Sequence, residues 1–439
     1  TVTPISRLAT ESGFKIYIAG SDRGKSFGAM SLNPAISLNG AGSGDDALYY
    51  TSDNITGSNL FALNSSGAIL WEQSLGGNFK NSSPSFSKGS NPKTYLGKNV
   101  MYIASKSGDI YCVNTDGKLV SSIKINDSFK NSVFVDANDP NADYVYAASA
   151  TGNFYRLKLD FSNSQSQTFT SVYSVKLDDT SFSSSPVLNN SSVYVGGENG
   201  KFYQIIPNTG DVSVSWDLSL YNKNSVAKII GTPLFDNITN SIIVPAGGYL
   251  FRIFGSTVTQ SPLLELKEGV NSRNKPYGSV LNTNIYATGT IISSPVISAS
   301  GNNLVYVANG NALFESNISS VDTFKNSANY CLGVSGRIDD SATNLSPLGN
   351  GVVALSTSSG GVRAAMVDTN MVNNVSPYIN YFTLPLNSST DNLLKYLPVN
   401  EFDSIGHSIK GINSSSIADK DGNVYFTLDN GAVKVLATP

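Results

Sequence analysis

Met101-Tyr102-Ile103-Ala104, a turn through Gly108, then Ile110-Tyr111-Cys112-Val113 closing on Asp116-Gly117, is the phrase that decides the fold. A short apolar run, a glycine turn and a second run of alternating aromatic and aliphatic residues read as two strands joined by a tight turn. The phrase returns at Val193-Tyr194-Val195-Gly196, Gly200 and Phe202-Tyr203-Gln204-Ile205 with Thr209-Gly210. It returns at Leu48-Tyr49-Tyr50 with Leu60-Phe61-Ala62-Leu63, and at Val145-Tyr146-Ala147, Gly152 and Phe154-Tyr155-Arg156-Leu157. Weaker copies run through Ile242–Val244, Val305–Val307, Val352–Leu355 and Val424–Phe426, each followed by glycine and a second strand, for about eight in all.

A leading strand precedes each copy, written as small polar residues before Pro or an aliphatic: Ser82-Ser83-Pro84, Ser184-Ser185-Pro186, Gly231-Thr232-Pro233 and Ser293-Ser294-Pro295. Helical periodicity is nearly absent; the one amphipathic stretch, Asp391–Leu397, is stopped by Pro398. Four strands repeated about eight times would twist apart or expose long edges as one open sheet, so a closed radial arrangement is required. The expected fold is therefore all-β, an eight-bladed β-propeller of four-stranded antiparallel blades, with seven blades as the alternative. One domain spans 1–439, and an early strand near 14–19 completes the last blade, because nothing follows Val435-Leu436 to serve as its fourth strand. Longer loops are expected at 255–290, 316–350 and 370–410.

Composition excludes several functions. Of 439 residues, 29 are Lys or Arg and 32 Asp or Glu, for a formal charge of -3. That balance gives no electrostatic case for nucleic acid or an anionic membrane. No apolar run is long enough to make a transmembrane segment. The single His, His407 in an Ile-Gly-His-Ser turn, leaves most metal and triad mechanisms without their usual ligand or base, and no G-x-S-x-G elbow surrounds it.

These residues resemble the quinoprotein-like, or PQQ-like, β-propeller repeat, whose blade ends in Asp, Thr-Gly and a docking Trp. Ala62 to Trp71 follows that pattern with Asn64 for Asp, and Pro207-Asn208-Thr209-Gly210 with Trp216 follows it with two extra residues. These are the only two Trp in the chain, so the docking ring expected of the family is incomplete. The resemblance implies one of two functions. Catalytic members hold pyrroloquinoline quinone and calcium beside a pair of adjacent, disulfide-bonded Cys. Here Cys112 and Cys331 are far apart in sequence, two free thiols are expected, and no C-x-x-C-H haem site exists. Non-catalytic members sit on the bacterial envelope, among them a lipoprotein that assists outer-membrane protein assembly and the propeller of pilus-tip adhesins.

The densest oxygen cluster, Asp136 to Asp143, would suit calcium by side-chain type, but Pro140 and the missing Gly and Glu break the EF-hand pattern. A tight inter-strand loop is the expectation there and at Asp419–Asn423. Asn-x-Ser/Thr triplets such as Asn54-Ile55-Thr56 and Asn237-Ile238-Thr239 follow from an Asn- and Ser-rich chain. Tyr and Phe at the repeated strand positions are expected to pack between sheets. Aromatics outside the repeat, Tyr378, Tyr381, Phe382 and Tyr396, together with His407, form the candidate partner-binding loop. The expected function is a non-enzymatic exported binding scaffold, periplasmic or on the cell surface. It would engage a protein partner or surface glycan through rim loops, in envelope assembly or adhesion, with no cofactor required. The alternative is a PQQ- and calcium-dependent alcohol or sugar dehydrogenase.

Overall fold

The middle two strands of a repeat carry its apolar residues because both of their faces are covered. In Leu48–Thr51 and Leu60–Leu63 every residue is buried, whereas the outer strand Ile69–Gln73 alternates between half-buried and exposed. The computed structural model describes residues 47–261 apart from 64–68, 80, 222–226 and 237–238. Beyond that span it describes positions 291, 294, 295 and 307 and the backbone of the remaining strands.

Two compact units divide the chain, one of residues 19–220 with 430–432, the other of residues 1–18, 221–429 and 433–439. In the first unit the strands form four antiparallel sheets in sequence order. The first sheet is Ser31–Leu32, Leu48–Thr51, Leu60–Leu63 and Ile69–Gln73. The second is Ser85–Phe86, Lys98–Ala104, Asp109–Asn114 and Leu119–Lys124, with an extra strand, Thr94–Tyr95, folded onto Lys98 and Asn99. The third is Phe134–Asp136, Ala142–Ala148, Asn153–Asp160 and Thr168–Lys176, and the fourth Val187–Asn189, Ser192–Gly196, Lys201–Ile205 and Val212–Asp217.

The second unit also holds four sheets among its described residues. The fifth runs from Leu234–Asp236 to Thr257–Gln260 and the sixth from Val296–Ile297 to Lys325–Cys331. The seventh spans Ala342–Gly349 to Tyr396–Leu397. The eighth takes Ile417–Ala418, Val424–Thr427 and Val433–Ala437, and then Lys15–Ile18, with Lys15 opposite Ala437. The segment 316–350, expected as a loop, instead supplies the fourth strand of the sixth sheet and the first of the seventh. Its strands are rich in Asn, Ser and Ala, so hydrophobic alternation does not mark them. Thr257–Gln260 likewise occupies the start of the expected 255–290 loop. The expected turn at 419–423 lies outside the described residues, as do 262–290 and most of 370–410. No helix among the described residues is long and apolar enough to cross a membrane.

Glycine in the repeated turn is required twice over. Gly108 and Gly152 have φ of +90° and +95°. A methyl group on Gly108 would stand 2.0 Å from the Ile125 carbonyl oxygen, and one on Gly152 1.8 Å from that of Asp178. Aromatic residues of adjacent middle strands stack on one another within a sheet: Tyr50 on Phe61 at 4.7 Å, Tyr146 on Phe154 at 6.1 Å and Tyr194 on Phe202 at 5.9 Å.

Candidate functional site

Of the candidate partner loop, Tyr378, Tyr381, Phe382 and His407 lie outside the described residues. Tyr396 falls in the seventh sheet's outer strand, opposite Arg363. The first unit shows instead how one rim is built, from the turn between the middle strands and the connector that leads to the next sheet. The connector residues Asn78, Ser128 and Ser181 each accept, through their carbonyl oxygen, the N–H of a turn residue in the following sheet: Lys106, Ala150 and Glu198. The Phe after each of these, Phe79, Phe129 and Phe182, sets its ring edge-on against Tyr111, Tyr155 and Tyr203 at 5.8, 6.0 and 6.0 Å. Composition cannot reveal this clasp, but the recurring Phe a few residues past each outer strand is its trace in the sequence.

Carboxylates crown two of the three clasps. Asp127 accepts hydrogen bonds from Tyr155 Oη at 2.7 Å, Thr151 Oγ1 at 2.7 Å and Asn153 Nδ2 at 2.8 Å. Burial pushes its pKa up, but those donors outweigh burial and hold it below the usual carboxylate range. Asp178 accepts from Lys201 Nζ, Asn199 Nδ2 and Tyr203 Oη, and the Lys201 bond leads in holding its carboxyl low. Burial foremost pushes the Tyr203 hydroxyl up to about 12. Glu198 draws two connectors together, accepting from Ser183 Oγ at 2.7 Å and pairing with Lys130 Nζ at 3.3 Å. These groups are committed to holding one sheet against the next.

Two further contacts repeat from sheet to sheet. The leading-strand hydroxyls form a chain, in which Ser132 Oγ accepts the Ser83 N–H at 2.8 Å and Ser185 Oγ accepts the Ser132 N–H at 3.1 Å. In the second unit, Ser294 Oγ accepts the Thr232 N–H at 2.9 Å. The small polar leader thus has a purpose, because its hydroxyl meets a donor that the preceding leading strand leaves open.

Aromatic docking is the second contact. Trp71 Nε1 donates to the Thr115 carbonyl at 2.9 Å, and a methyl on Gly117 would lie 2.9 Å from its ring. Tyr173 takes the same place one pair of sheets on, donating to the Pro207 carbonyl at 2.9 Å and covering Gly210. Trp71 stands opposite Ala62 and Tyr173 opposite Arg156; Ser121 holds the matching position in the second sheet and Val214 in the fourth. Trp216, expected to dock, stands two residues away opposite Phe202 and packs on that ring at 5.7 Å.

The acidic segment from Asp136 is an inter-strand loop. Asp136 and Asp139 turn back on the N–H groups of Asn138 and Asn141 at 3.1 and 2.8 Å. Asp143 instead points inward, fully buried, where Tyr102 Oη donates to its Oδ2 at 2.7 Å and Lys93 Nζ lies 3.6 Å from its Oδ1. Burial pushes the Asp143 carboxyl up. Cys112, free and fully buried, lies opposite Tyr102, and burial pushes its thiol well up. Among the described residues no group of three His, Cys, Asp or Glu side chains converges as metal ligands would.

Four-stranded sheets that, in the first unit, clasp one another in turn, with aromatics from outer strands docked on glycine turns, define a β-propeller of the PQQ-like repeat class. Residues 56–275, 220 of the 439, match the family of the outer membrane protein assembly factor BamB, and the chain belongs to that family. The fold is similar to that of BamB from Moraxella catarrhalis, with TM-score 0.56 and 12% identity over 93% of this chain and 97% of that one. It is similar to Saccharomyces cerevisiae Sqt1, with TM-score 0.59 and 14% identity over 96% and 98%. The computationally designed Ika8 protein gives TM-score 0.53 and 11% identity over 95% and 99%. At such identities the likeness is one of fold. No curated protein matches the sequence.

Proposed function

We propose that this chain is a non-catalytic scaffold of the bacterial envelope, exported and binding a protein partner through its rim loops, in the manner the name of its family suggests. In this reading the eight sheets close into a single ring, completed by the strand near residues 14–19. The observation that carries it is the commitment of the rim carboxylates. Asp127 and Asp178 each take three donors from the following sheet, which is how a rigid platform is built and leaves contact with partners to the exposed loops between.

Site-specific photo-crosslinkers test this in the native host, placed at exposed rim positions such as Lys106 and Asp179, with Ser164 on the opposite edge as control. The expected result is one defined partner captured from the rim and not from Ser164. Equal capture at both edges overturns the rim reading, and retention of ligand on a glycan array would move the partner from protein to surface glycan. Dye reduction after reconstitution with quinone and calcium would replace the scaffold with the dehydrogenase.

A further inference from the structure

The contact between the second and third sheets differs from those on either side of it. Ser121 holds the position from which Trp71 and Tyr173 dock, and a hydroxymethyl group is too short to reach a neighbouring turn. A different device fills the gap. The loop before Thr94–Tyr95 lies along the acidic segment of the third sheet, with Asn91 N donating to Ala137 O at 2.8 Å, Ala137 N to Lys88 O at 3.1 Å and Ser90 N to Asn138 Oδ1 at 2.9 Å. Gly89 permits the approach, since a methyl there would stand 2.8 Å from the Ala137 carbonyl carbon.

That approach buries Lys93, whose Nζ donates to the carbonyls of Asn91 and Asp139 at 2.5 Å each and lies 3.6 Å from Asp143 Oδ1. Oδ1 is buried and has no hydrogen-bond partner, while Oδ2 accepts from Tyr102. Burying both charges is costly in desolvation, and only close geometry and further hydrogen bonds offset that cost. Conversion of the pair to a neutral link removes that cost.

We propose that Lys93 and Asp143 form an intramolecular isopeptide bond that covalently staples the second sheet to the third. Proton transfer from Nζ to Oδ1 gives an amine and a carboxylic acid. The amine spends its two N–H bonds on Asn91 O and Asp139 O, which turns its lone pair toward Asp143. The Nζ–Cγ bond forms while the Tyr102 hydroxyl donates to the oxygen that gains charge, Oδ2. The Cγ–Oδ1 bond then breaks, and the departing hydroxyl takes one Nζ proton and leaves as water. The product is a secondary amide, and no oxidant or cofactor enters. Tyr102 acts here as a positioning and charge-stabilising group, and the two carbonyls fix the nucleophile.

Intact-mass spectrometry of the purified, folded wild-type chain tests this. The expected mass is lower than that of the linear sequence by one water, with a digest containing one branched peptide that joins Lys93 to Asp143. Lys93→Arg should restore the full linear mass. Asp143→Asn should lose ammonia instead and reach the same product mass as the wild type. Tyr102→Phe should leave a linear fraction that converts slowly. Full linear mass in the folded wild-type chain overturns the proposal, as does a loss of water that persists in Lys93→Arg. Because the deciding measurement is on the wild type, misfolding of a variant does not blunt it.

Discussion

Tyr155 donates its hydroxyl to Asp127 Oδ2 at 2.7 Å while its ring meets Phe129 edge-on at 6.0 Å, so a single side chain carries both the polar and the apolar half of one inter-sheet clasp. Tyr203 repeats the arrangement with Asp178 and Phe182. Tyr111 sets its ring against Phe79 in the same way, but its hydroxyl meets the backbone of Gly76 in place of a carboxylate.

Asp127→Asn should lower stability by about 1–2 kcal/mol, since a neutral amide accepts the Tyr155, Thr151 and Asn153 bonds more weakly and the site is partly exposed. The effect depends on pH. The folded pKa of Asp127 is depressed, so its contribution is complete above the ordinary Asp value of about 3.9 and fades as pH falls through the folded value. Urea midpoints measured from neutrality into acid should therefore fall more steeply for the wild type than for the variant and converge at the acid end. Parallel curves would show that the clasp is not electrostatic.

Gly117→Ala should cost about 2 kcal/mol, from a φ of +79° that a methyl group strains and from the collision with the Trp71 ring. The double variant Gly117→Ala with Trp71→Ala should recover the collision part and not the strain. A double-mutant cycle by chemical denaturation reads this directly.

Ser132→Ala removes the acceptor of the Ser83 N–H and one link in the leading-strand chain. A loss of about 1 kcal/mol is expected. Hydrogen exchange should locate it, with faster exchange at Ser83 and little change in the outer strand Thr168–Lys176.

Cys112 should resist alkylation in the native protein and react once denatured, because its thiol is buried and its pKa is pushed up by that burial. Peptide mapping after iodoacetamide treatment, with and without denaturant, checks this at Cys112 itself. Native labelling at that site would mean that the second sheet opens readily.

The sequence announces the middle strands most clearly. Met101 to Val113 reads as a hairpin because both faces of it are buried, which forces apolar residues at nearly every position. Outer strands such as Thr168–Lys176 and Val212–Asp217 are largely exposed, so Thr, Ser and Lys blur the alternation and the strand bounds with it. The docking aromatic was legible where it is Trp71 and hidden where it is Tyr173, because a tyrosine in a strand has many other uses. Trp216 misled for a related reason: two extra residues in its turn shift the register and hand the docking position to Val214. Asp143 sits in a run that reads as a polar loop, and only the burial of Lys93 above it separates it from Asp136 and Asp139. The candidate loop residues had no repeat to place them, and four of the five fall outside the described residues.

Among the described strands, seven sheets assemble from neighbouring stretches of the chain, while the eighth sets Lys15 against Ala437. The strand Lys15–Ile18 must therefore wait for one made far downstream, its amide and carbonyl groups open meanwhile to any passing extended segment. The entropy of closing so long a loop grows only with the logarithm of its length, so the hazard is one of timing rather than of final strength. Shielding that waiting strand is therefore expected to raise folding yield more than hastening the hairpins.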